Sequence, residues 1–440
     1  MKSLKYHLTA VLILASILTI SCGQKDEIVS FDANGYGQTE LNNGLKVLVN
    51  KDDFTSLTAA RVLIGGGVFS EEPSRNGISN LMIKMLLKGN SQMSVDAISE
   101  QLDFLGARVD ANCYRDYTAI TFVCLSENFE DVLKIIGTSV LSPTFPKEEL
   151  EKLKVEVTGT IKAQDDNQTQ SASKLFWKTM YGNEHYGMPL TGTVESVESI
   201  SVADIRARYD ETVNTGNITL SVSSDIPANV LIPLLETTFA TLPKAEMPEL
   251  SAQLTPRDEK EGFISYDRNQ SFIFLGYPMP HLSAKEVSCM YLINEIMGRG
   301  SDARLWNLRR EEKLAYAVYS EYALSKHCAS FRAAIGTDTS KAKTAVASLK
   351  REMKKLYDEG ITDAELAVAR TNAKNSIIYD IDTKNGRTRN IAFYEQVGYG
   401  YKFPYELMAQ VDRLTVDDVK NFIRSYFGEE NQYLAIVGKK

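Results

Sequence analysis

Ile200-Ser201-Val202-Ala203-Asp204-Ile205 returns 214 residues later as Leu414-Thr415-Val416-Asp417-Asp418-Val419. Each copy opens with a hydroxyl residue able to cap a helix, and an aspartate three residues on can close a capping box. Each then leads into an apolar strand pattern, at 218–222 and at 433–437. Upstream, Leu150, Leu153, Val157 and Ile161 set an apolar stripe with spacings of 3, 4 and 4, which Leu366, Ala369, Ala373 and Ile377 repeat at an offset of 216. One such stripe is commonplace, because any surface helix needs an apolar face. Two matches in the same order at nearly equal offsets indicate an internal duplication, and that duplication decides the fold.

Outward from these anchors, the first half reads as strands, helices, a hairpin, helices and a strand. Asn43-Gly44 is a type I′ hairpin signal ahead of the Val47 and Val49 alternation. A strand follows at about 57–64, then a turn at Gly65-Gly66-Gly67 and a helix near 77–88. The next helix begins after Ser94, carries Ile98, Leu102 and Leu105 on one face and stops at Gly106. Residues 107–113 and 117–125 make a hairpin around Tyr114-Arg115-Asp116, and a helix from Asn128 turns Phe129, Val132 and Ile136 inward. This order implies an α+β protein of two homologous domains, each a mostly antiparallel sheet with helices packed on one face. Pro243, Pro248 and Pro256 mark an extended linker, since proline fixes φ and removes a backbone donor. The expected boundaries are 36–240 for the N-terminal domain, 241–262 for the linker and 263–440 for the C-terminal domain.

A polypeptide of 440 residues is too long for one ordinary core. Its net charge of −8 becomes −10 if a leader containing Lys2 and Lys5 is removed, which speaks against nucleic acid as a partner. Those lysines precede an apolar stretch at 8–20, the layout of a secretory signal rather than a membrane-spanning helix. Thr19-Ile20-Ser21-Cys22 resembles a bacterial lipobox, in which the cysteine is acylated and becomes the new N-terminus; an ordinary secretory signal containing a cysteine is the alternative. The expectation is a lipoprotein signal peptide over 1–21, lipidation at Cys22 and a charged tether over 22–35. The mature protein would then sit in the periplasm, outer membrane or cell surface of a Gram-negative bacterium, touching membrane through its lipid anchor only. Cys113, Cys124, Cys289 and Cys328 form no C-x-x-C pair, so neither a structural zinc site nor a disulfide scaffold is indicated. Cys113 and Cys124 flank the hairpin turn and either pair in an oxidising compartment or act as small buried hydrophobes.

Residues 77–89 read Gly-Ile-Ser-Asn-Leu-Met-Ile-Lys-Met-Leu-Leu-Lys-Gly. This stretch resembles the helix on which the pitrilysin/insulinase family of zinc peptidases carries an inverted His-x-x-Glu-His motif, with two imidazoles at i and i+4 and a carboxylate base beside them. Leu41-Asn42-Asn43-Gly44-Leu45 is similar to that family's opening hairpin. His185-Tyr186-Gly187 with Thr191-Gly192-Thr193-Val194-Glu195-Ser196 resembles its His-Pro-Tyr-Gly and Gly-Thr-x-Glu-Ser region, without the proline. The 298–305 segment is similar to its glycine-rich turn. Arg309 and Leu314-Ala315-Tyr316 resemble its Leu-Arg-x-x-x-x-Leu-Ala-Tyr segment. The resemblance spans roughly residues 36–438, and the chain resembles the Arg/Tyr subunit of heterodimeric bacterial processing-peptidase-like enzymes.

Carried over residue by residue, the zinc site is degenerate. Asn80 and Lys84 stand at the two histidine positions and Ile83 at the base position. Thr160 stands at the third ligand, with Glu156 one turn away in a shifted register. An ammonium at a metal position adds repulsion and offers no lone pair. The four histidines, His7, His185, His281 and His327, lie outside the motif. The resemblance therefore implies no metal bound by this protein and zinc in a homologous partner subunit, with unfolded peptides as ligands. Arg309 and Tyr316 match the residues that reach the scissile carbonyl in active relatives; their seven-residue separation would place them on one face of a helix. The alternative is that Arg309 pairs with Glu311 or Glu312 while Tyr316 fills a core. Asn80, Lys84 and Lys88 form either a solvated helix face or the wall of a cleft. A self-sufficient hydrolase is disfavoured, since no Gly-x-Ser-x-Gly elbow is present, whereas a catalytically silent peptide-binding or structural protein stays open.

Overall fold

The computed structural model describes residues 29–245 and 254–439. The leader, the first half of the tether (22–28, with Cys22) and Pro248 lie outside the described residues. The first half opens with β1 (Tyr36–Glu40), β2 (Lys46–Lys51) and β3 (Leu57–Gly65), then α1 (Ile78–Met85) and α2 (Val95–Phe104). The hairpin of β4 (Arg108–Cys113) and β5 (Tyr117–Leu125) leads into α3 (Phe129–Leu141), α4 (Lys147–Asp166) and α5 (Gln168–Tyr181). It closes with α6 (Val194–Ser199), α7 (Val202–Thr212), β6 (Ile218–Ser224) and α8 (Ala228–Phe239).

The second half repeats the plan. It begins with β7 (Glu261–Ser265), β8 (Gln270–Pro280), α9 (Ala284–Gly298) and the short α10 (Asn307–Arg310). The hairpin of β9 (Ala315–Leu324) and β10 (Cys328–Asp338) precedes α11 (Ala342–Glu359), α12 (Asp363–Asp380) and α13 (Lys384–Gln396). The half ends with α14 (Phe403–Arg413), α15 (Val416–Tyr426) and β11 (Tyr433–Gly438). Strand order is β1-β2-β6-β3-β5-β4 in one sheet and β7-β11-β8-β10-β9 in the other. β2 runs parallel to β6 and β7 parallel to β11; every other pair is antiparallel. Superposing the orders makes β4 and β9 equivalent edge strands.

The duplicated anchors fold as their chemistry dictates. Ser201 caps α7 in a capping box with Asp204, and Thr415 caps α15 in a box with Asp418. Leu150, Leu153, Val157 and Ile161 are the buried stripe of α4, and Leu366, Ala369, Ala373 and Ile377 lie on that of α12. Between the sheet and α1–α4 of the first half, Val62, Ile64, Leu81, Phe122 and Phe129 build one core. In the second, Ile273, Leu292, Phe331 and Leu349 build its counterpart.

Helices cover more than the one expected face. The far face of each sheet takes a helix from the opposite half. Phe176 and Trp177 of α5 pack on Phe272, Phe274 and Val437 of the second sheet, while Ile391 of α13 meets Tyr36 and Leu48 of the first. The close approach of α5 needs Gly276, where a Cβ would lie 2.5 Å from the Phe176 ring. α5 and α13 start 216 residues apart, so the exchange obeys the duplication. A sheet whose two faces are both apolar requires this, because one layer of helices leaves half of it wet.

Three local expectations are corrected. The Asn43-Gly44 hairpin forms, but only Gly44 has positive φ (86°), and the Gly44 N–H donates to Leu41 O. That is a turn with a left-handed glycine after it, not type I′. β7 starts at Glu261, inside the segment read as linker. Cys113 faces Thr118 near the hairpin turn while Cys124 sits at the far end of β5, so the two free thiols cannot bridge.

Candidate functional site

α1 is short and nearly all buried, and a buried carboxylate holds its start. Glu71 accepts from the Gly77 and Ser79 N–H groups and from Asn76 Nδ2, all at 2.8 Å. These N–H groups are orphans of the first helical turn, which a side-chain acceptor must satisfy. Burial pushes the Glu71 carboxyl above its usual range, against the pull of those donors. Arg208 of α7 clamps the same corner, donating to Gly66 O at 2.5 Å and to Ser79 Oγ at 3.2 Å.

On this helix the motif positions do not form a solvated face. Asn80 is 6% exposed and its Nδ2 finds no acceptor among the described residues, and Ile83 is sealed in the core. Lys84 is partly exposed and lies 3.7 Å from Glu156 of α4. α1 ends at Met85, earlier than expected, and Lys88 follows in a turn. Of the two candidate third-ligand positions, Glu156 is the one paired with Lys84; Thr160 is exposed and its hydroxyl donates to the Glu156 carbonyl. A groove of about 440 Å³ opens here, lined by Lys84, Lys88, Ile98, Val109, Leu153 and Glu156 among others. Its rim includes the edge strand β4.

These residues do not fit a zinc ion. Tetrahedral zinc takes imidazole, thiolate or carboxylate donors, whereas this corner presents an amide, an aliphatic side chain and an ammonium that already engages the neighbouring carboxylate. Among the described residues, no group of three or more His, Cys, Asp or Glu side chains is gathered as a metal-binding set.

Arg309 and Tyr316 lie in different elements of the second half. Arg309 is exposed near the end of α10, its guanidinium 4.9 Å from the centre of the Trp306 ring, with no ion pair among the described residues. Glu311 pairs with Arg310, and Glu312 with Arg351, so neither takes Arg309. The helix stops at Arg310, Lys313 turns the backbone at φ 53°, and Tyr316 stands on edge strand β9. The shared helical face is thereby corrected. At Tyr316 the register slips, Gly336 facing Ala317 while Thr337 faces Ala315. The ring lies across Gly336, where a Cβ would come within 2.4 Å of Tyr316 Cζ. Tyr316 is 45% exposed, and partial burial raises its hydroxyl above the ordinary value. The glycine-rich turn is pinned by Arg304, bidentate to Glu365 of α12 at 2.7 and 2.8 Å.

The two halves also meet in a polar junction that residue spacing does not reveal. Tyr186 donates to the buried Asp116 carboxylate, which also accepts the Lys326 N–H at 3.2 Å. Phe69 stacks on His327 at 4.3 Å, and a cavity of about 450 Å³ adjoins them. In the sequence, the His185-Tyr186-Gly187 segment and the Tyr114-Arg115-Asp116 turn mark two parts of this junction but not their meeting.

Residues 46–194 match the profile described as insulinase (peptidase family M16), and residues 199–373 match the peptidase M16 inactive domain. A Bacillus subtilis protein named uncharacterized zinc protease YmxG is 25% identical over 396 residues, covering 88% of this chain and 95% of its own. The Helicobacter pylori non-peptidase homolog YmxG is 21% identical, covering 86% and 87%. Among solved structures, a peptidase M16 inactive domain from Pseudomonas fluorescens superposes with a TM-score of 0.85 at 21% identity, covering 92% of this chain and 98% of that one. A duplicated sheet-and-helix unit with a motif helix beside an edge strand thus defines a two-domain, peptidase-like class. The chain belongs to the M16, or insulinase, family of peptidases.

Proposed function

We propose that this protein is the non-zinc subunit of a heterodimeric M16 peptidase, exported and lipid-anchored through Cys22. It forms one half of a chamber around unfolded peptides and lends Arg309 and Tyr316 to the active site of a zinc-bearing homologous subunit. One contrast carries the reading: the motif positions Asn80, Ile83 and Lys84 offer no ligand set, while Arg309 and Tyr316 keep exposed donor groups. The match of residues 199–373 to the peptidase M16 inactive domain supports it.

In this role the guanidinium and the phenol donate hydrogen bonds to the oxyanion that develops on a scissile carbonyl, where fixed donors lower a barrier most. The raised Tyr316 hydroxyl stays protonated at neutral pH and so remains a donor. Zinc in the partner supplies the activated water. Edge strands β4 and β9 offer unpaired backbone groups to which an extended peptide adds without strong sequence preference.

The test is peptide cleavage by this protein, by a homologous subunit with an intact motif from the same organism, and by the mixture. Activity restricted to the mixture is expected. Arg309→Ala or Tyr316→Phe should then lower kcat by about 10²–10³-fold. The name of the H. pylori relative, a non-peptidase homolog, favours a second reading, a silent peptide-binding protein. Under that reading both substitutions leave the partner's rate unchanged.

A further inference from the structure

We propose that the end of the first sheet where β3 begins and β5 ends rests on a lipid bilayer, with Phe54 and Phe104 entering its interface. The proposal rests on the reading above that Cys22 is acylated, and it names the face turned to the membrane.

Exposure supplies the first observation. Phe54, in the turn between β2 and β3, is 94% exposed, and Phe104, at the end of α2, is 83% exposed. Neither stands alone. Leu57, three residues after Phe54, pairs across the strands with Leu125, and both are partly exposed. The Ser126 N–H donates to Ser56 O at 3.0 Å, and Asn128 Nδ2 donates to Leu105 O at 3.0 Å, which ties the Phe104 corner to the same strand ends. Four large apolar side chains thus share one end of the sheet, where an apolar medium is favoured over water.

The start of the fold supplies the second. Val29 is buried against β1, where a Cβ on Gly37 would lie 2.4 Å from Val29 Cγ1. Tyr36 of β1 pairs with Asn50 of β2, and the Lys51 N–H donates to Gly35 O at 2.8 Å. Asn34 and Phe54 line one cleft of about 410 Å³. Cys22 lies seven residues before Val29, a length of chain that reaches at most about 25 Å. An acyl chain on Cys22 therefore holds β1 and the Phe54 turn within one short tether of the bilayer.

Charge sets the kind of lipid. Lys51 pairs with Asp53, Arg387 with Asp52 and Lys384 with Asp225, and Asp103 and Glu127 outnumber Arg108. These residues leave no basic excess to attract anionic headgroups. Affinity comes from the apolar side chains and suits a zwitterionic bilayer. Held this way, β3, β4 and β5 rise from the membrane and carry the 114–116 turn, at the junction of the two halves, to the far side.

The experiment sediments the mature polypeptide, made without acylation, with vesicles of phosphatidylcholine and phosphatidylethanolamine. The unsubstituted protein is expected to partition onto them. Phe54→Ser and Phe104→Ser should each weaken the partition by about tenfold. Val368→Ser, at an exposed apolar residue of the second half, should leave it unchanged. Adding anionic phosphatidylglycerol should not raise it. No partition, partition indifferent to both phenylalanine substitutions, or partition that appears only with anionic lipid overturns the proposal. Substitutions that spare vesicle binding but abolish assembly with the homologous subunit overturn it too, since the face then belongs to a protein. Mass spectrometry of the membrane-extracted protein tests the anchor separately: an acylated Cys22 with indifferent phenylalanine variants removes this face and leaves the anchor standing.

Discussion

The Tyr186 hydroxyl donates to the Asp116 carboxylate where the two halves meet, and both side chains are buried there. Asp116 sits in the turn between β4 and β5. Lys326, whose N–H reaches the same carboxylate, sits in the matching turn between β9 and β10. One anion therefore fastens two hairpin tips that the duplication makes equivalent.

That anion should leave a signature in the pH dependence of stability. Burial raises the Asp116 carboxyl above its ordinary value, more than the Tyr186 and Lys326 bonds lower it. A carboxyl raised on folding binds its proton more tightly in the native state, so its contribution to stability increases as pH falls through the raised value. The penalty is complete above that value. Asp116→Asn should thus flatten this part of the curve, measured as Tm against pH from about 7 down to about 4 for both proteins. Parallel curves would mean that the carboxyl titrates normally.

Arg61 on β3 points to the face that α13 covers. It is 5% exposed, and neither Nε nor Nη1 has a hydrogen-bond partner among the described residues. Its cross-strand neighbours are Thr121 and Ser221, and neither offers a charge. Replacing a buried ion by an apolar side chain of similar length is often neutral or stabilising by about 1–4 kcal/mol. Arg61→Met should accordingly hold or raise the urea midpoint, and a fall equivalent to about 2 kcal/mol or more would show the guanidinium to be paired.

Much of this architecture was legible because it is periodic. The capping boxes at Ser201 and Thr415, the stripes of α4 and α12, and the β4–β5 hairpin follow from spacing alone. The exchange of α5 and α13 was hidden, since a stripe says that a helix is covered and not by which sheet. The seven-residue interval from Arg309 to Tyr316 would suit one face of a helix, and it says nothing of the strand on which Tyr316 stands. Its true constraint is Gly336, on the neighbouring strand β10, which clears space for the ring. The burial of Asn80 was equally unreadable, because an amide on a helix face usually meets water.

Glu71 should matter more for stability than its place in a short turn suggests. Its carboxylate serves two backbone N–H groups and the Asn76 amide at the start of α1. Glu71→Ala leaves buried donors without acceptors and should cost at least about 2 kcal/mol by chemical denaturation. Glu71→Gln keeps the shape but turns one acceptor into a donor facing N–H groups, so it should recover little. Full recovery by glutamine would show that packing, and not acceptance of those bonds, holds the helix.

The helix exchange makes the halves inseparable as folded units. Without α13 the first sheet bares Tyr36, Leu48 and Leu63, and it loses the buried Lys384 ammonium that donates to Thr55 O and Leu57 O at 2.7 Å each. Without α5 the second sheet bares Phe272 and Phe274, and Gln270 O loses the Gln168 side chain that donates to it at 2.6 Å. Apolar faces of that size drive association when left open. Dividing the polypeptide between residues 245 and 254 should therefore yield two pieces that copurify when coexpressed and aggregate when made singly. Ile391→Ala, which opens a cavity against Tyr36 and Leu48, should cost about 2–5 kcal/mol and weaken the copurification. Either piece behaving as a soluble, cooperatively melting monomer would show that each sheet can close its far face without the helix of the other half.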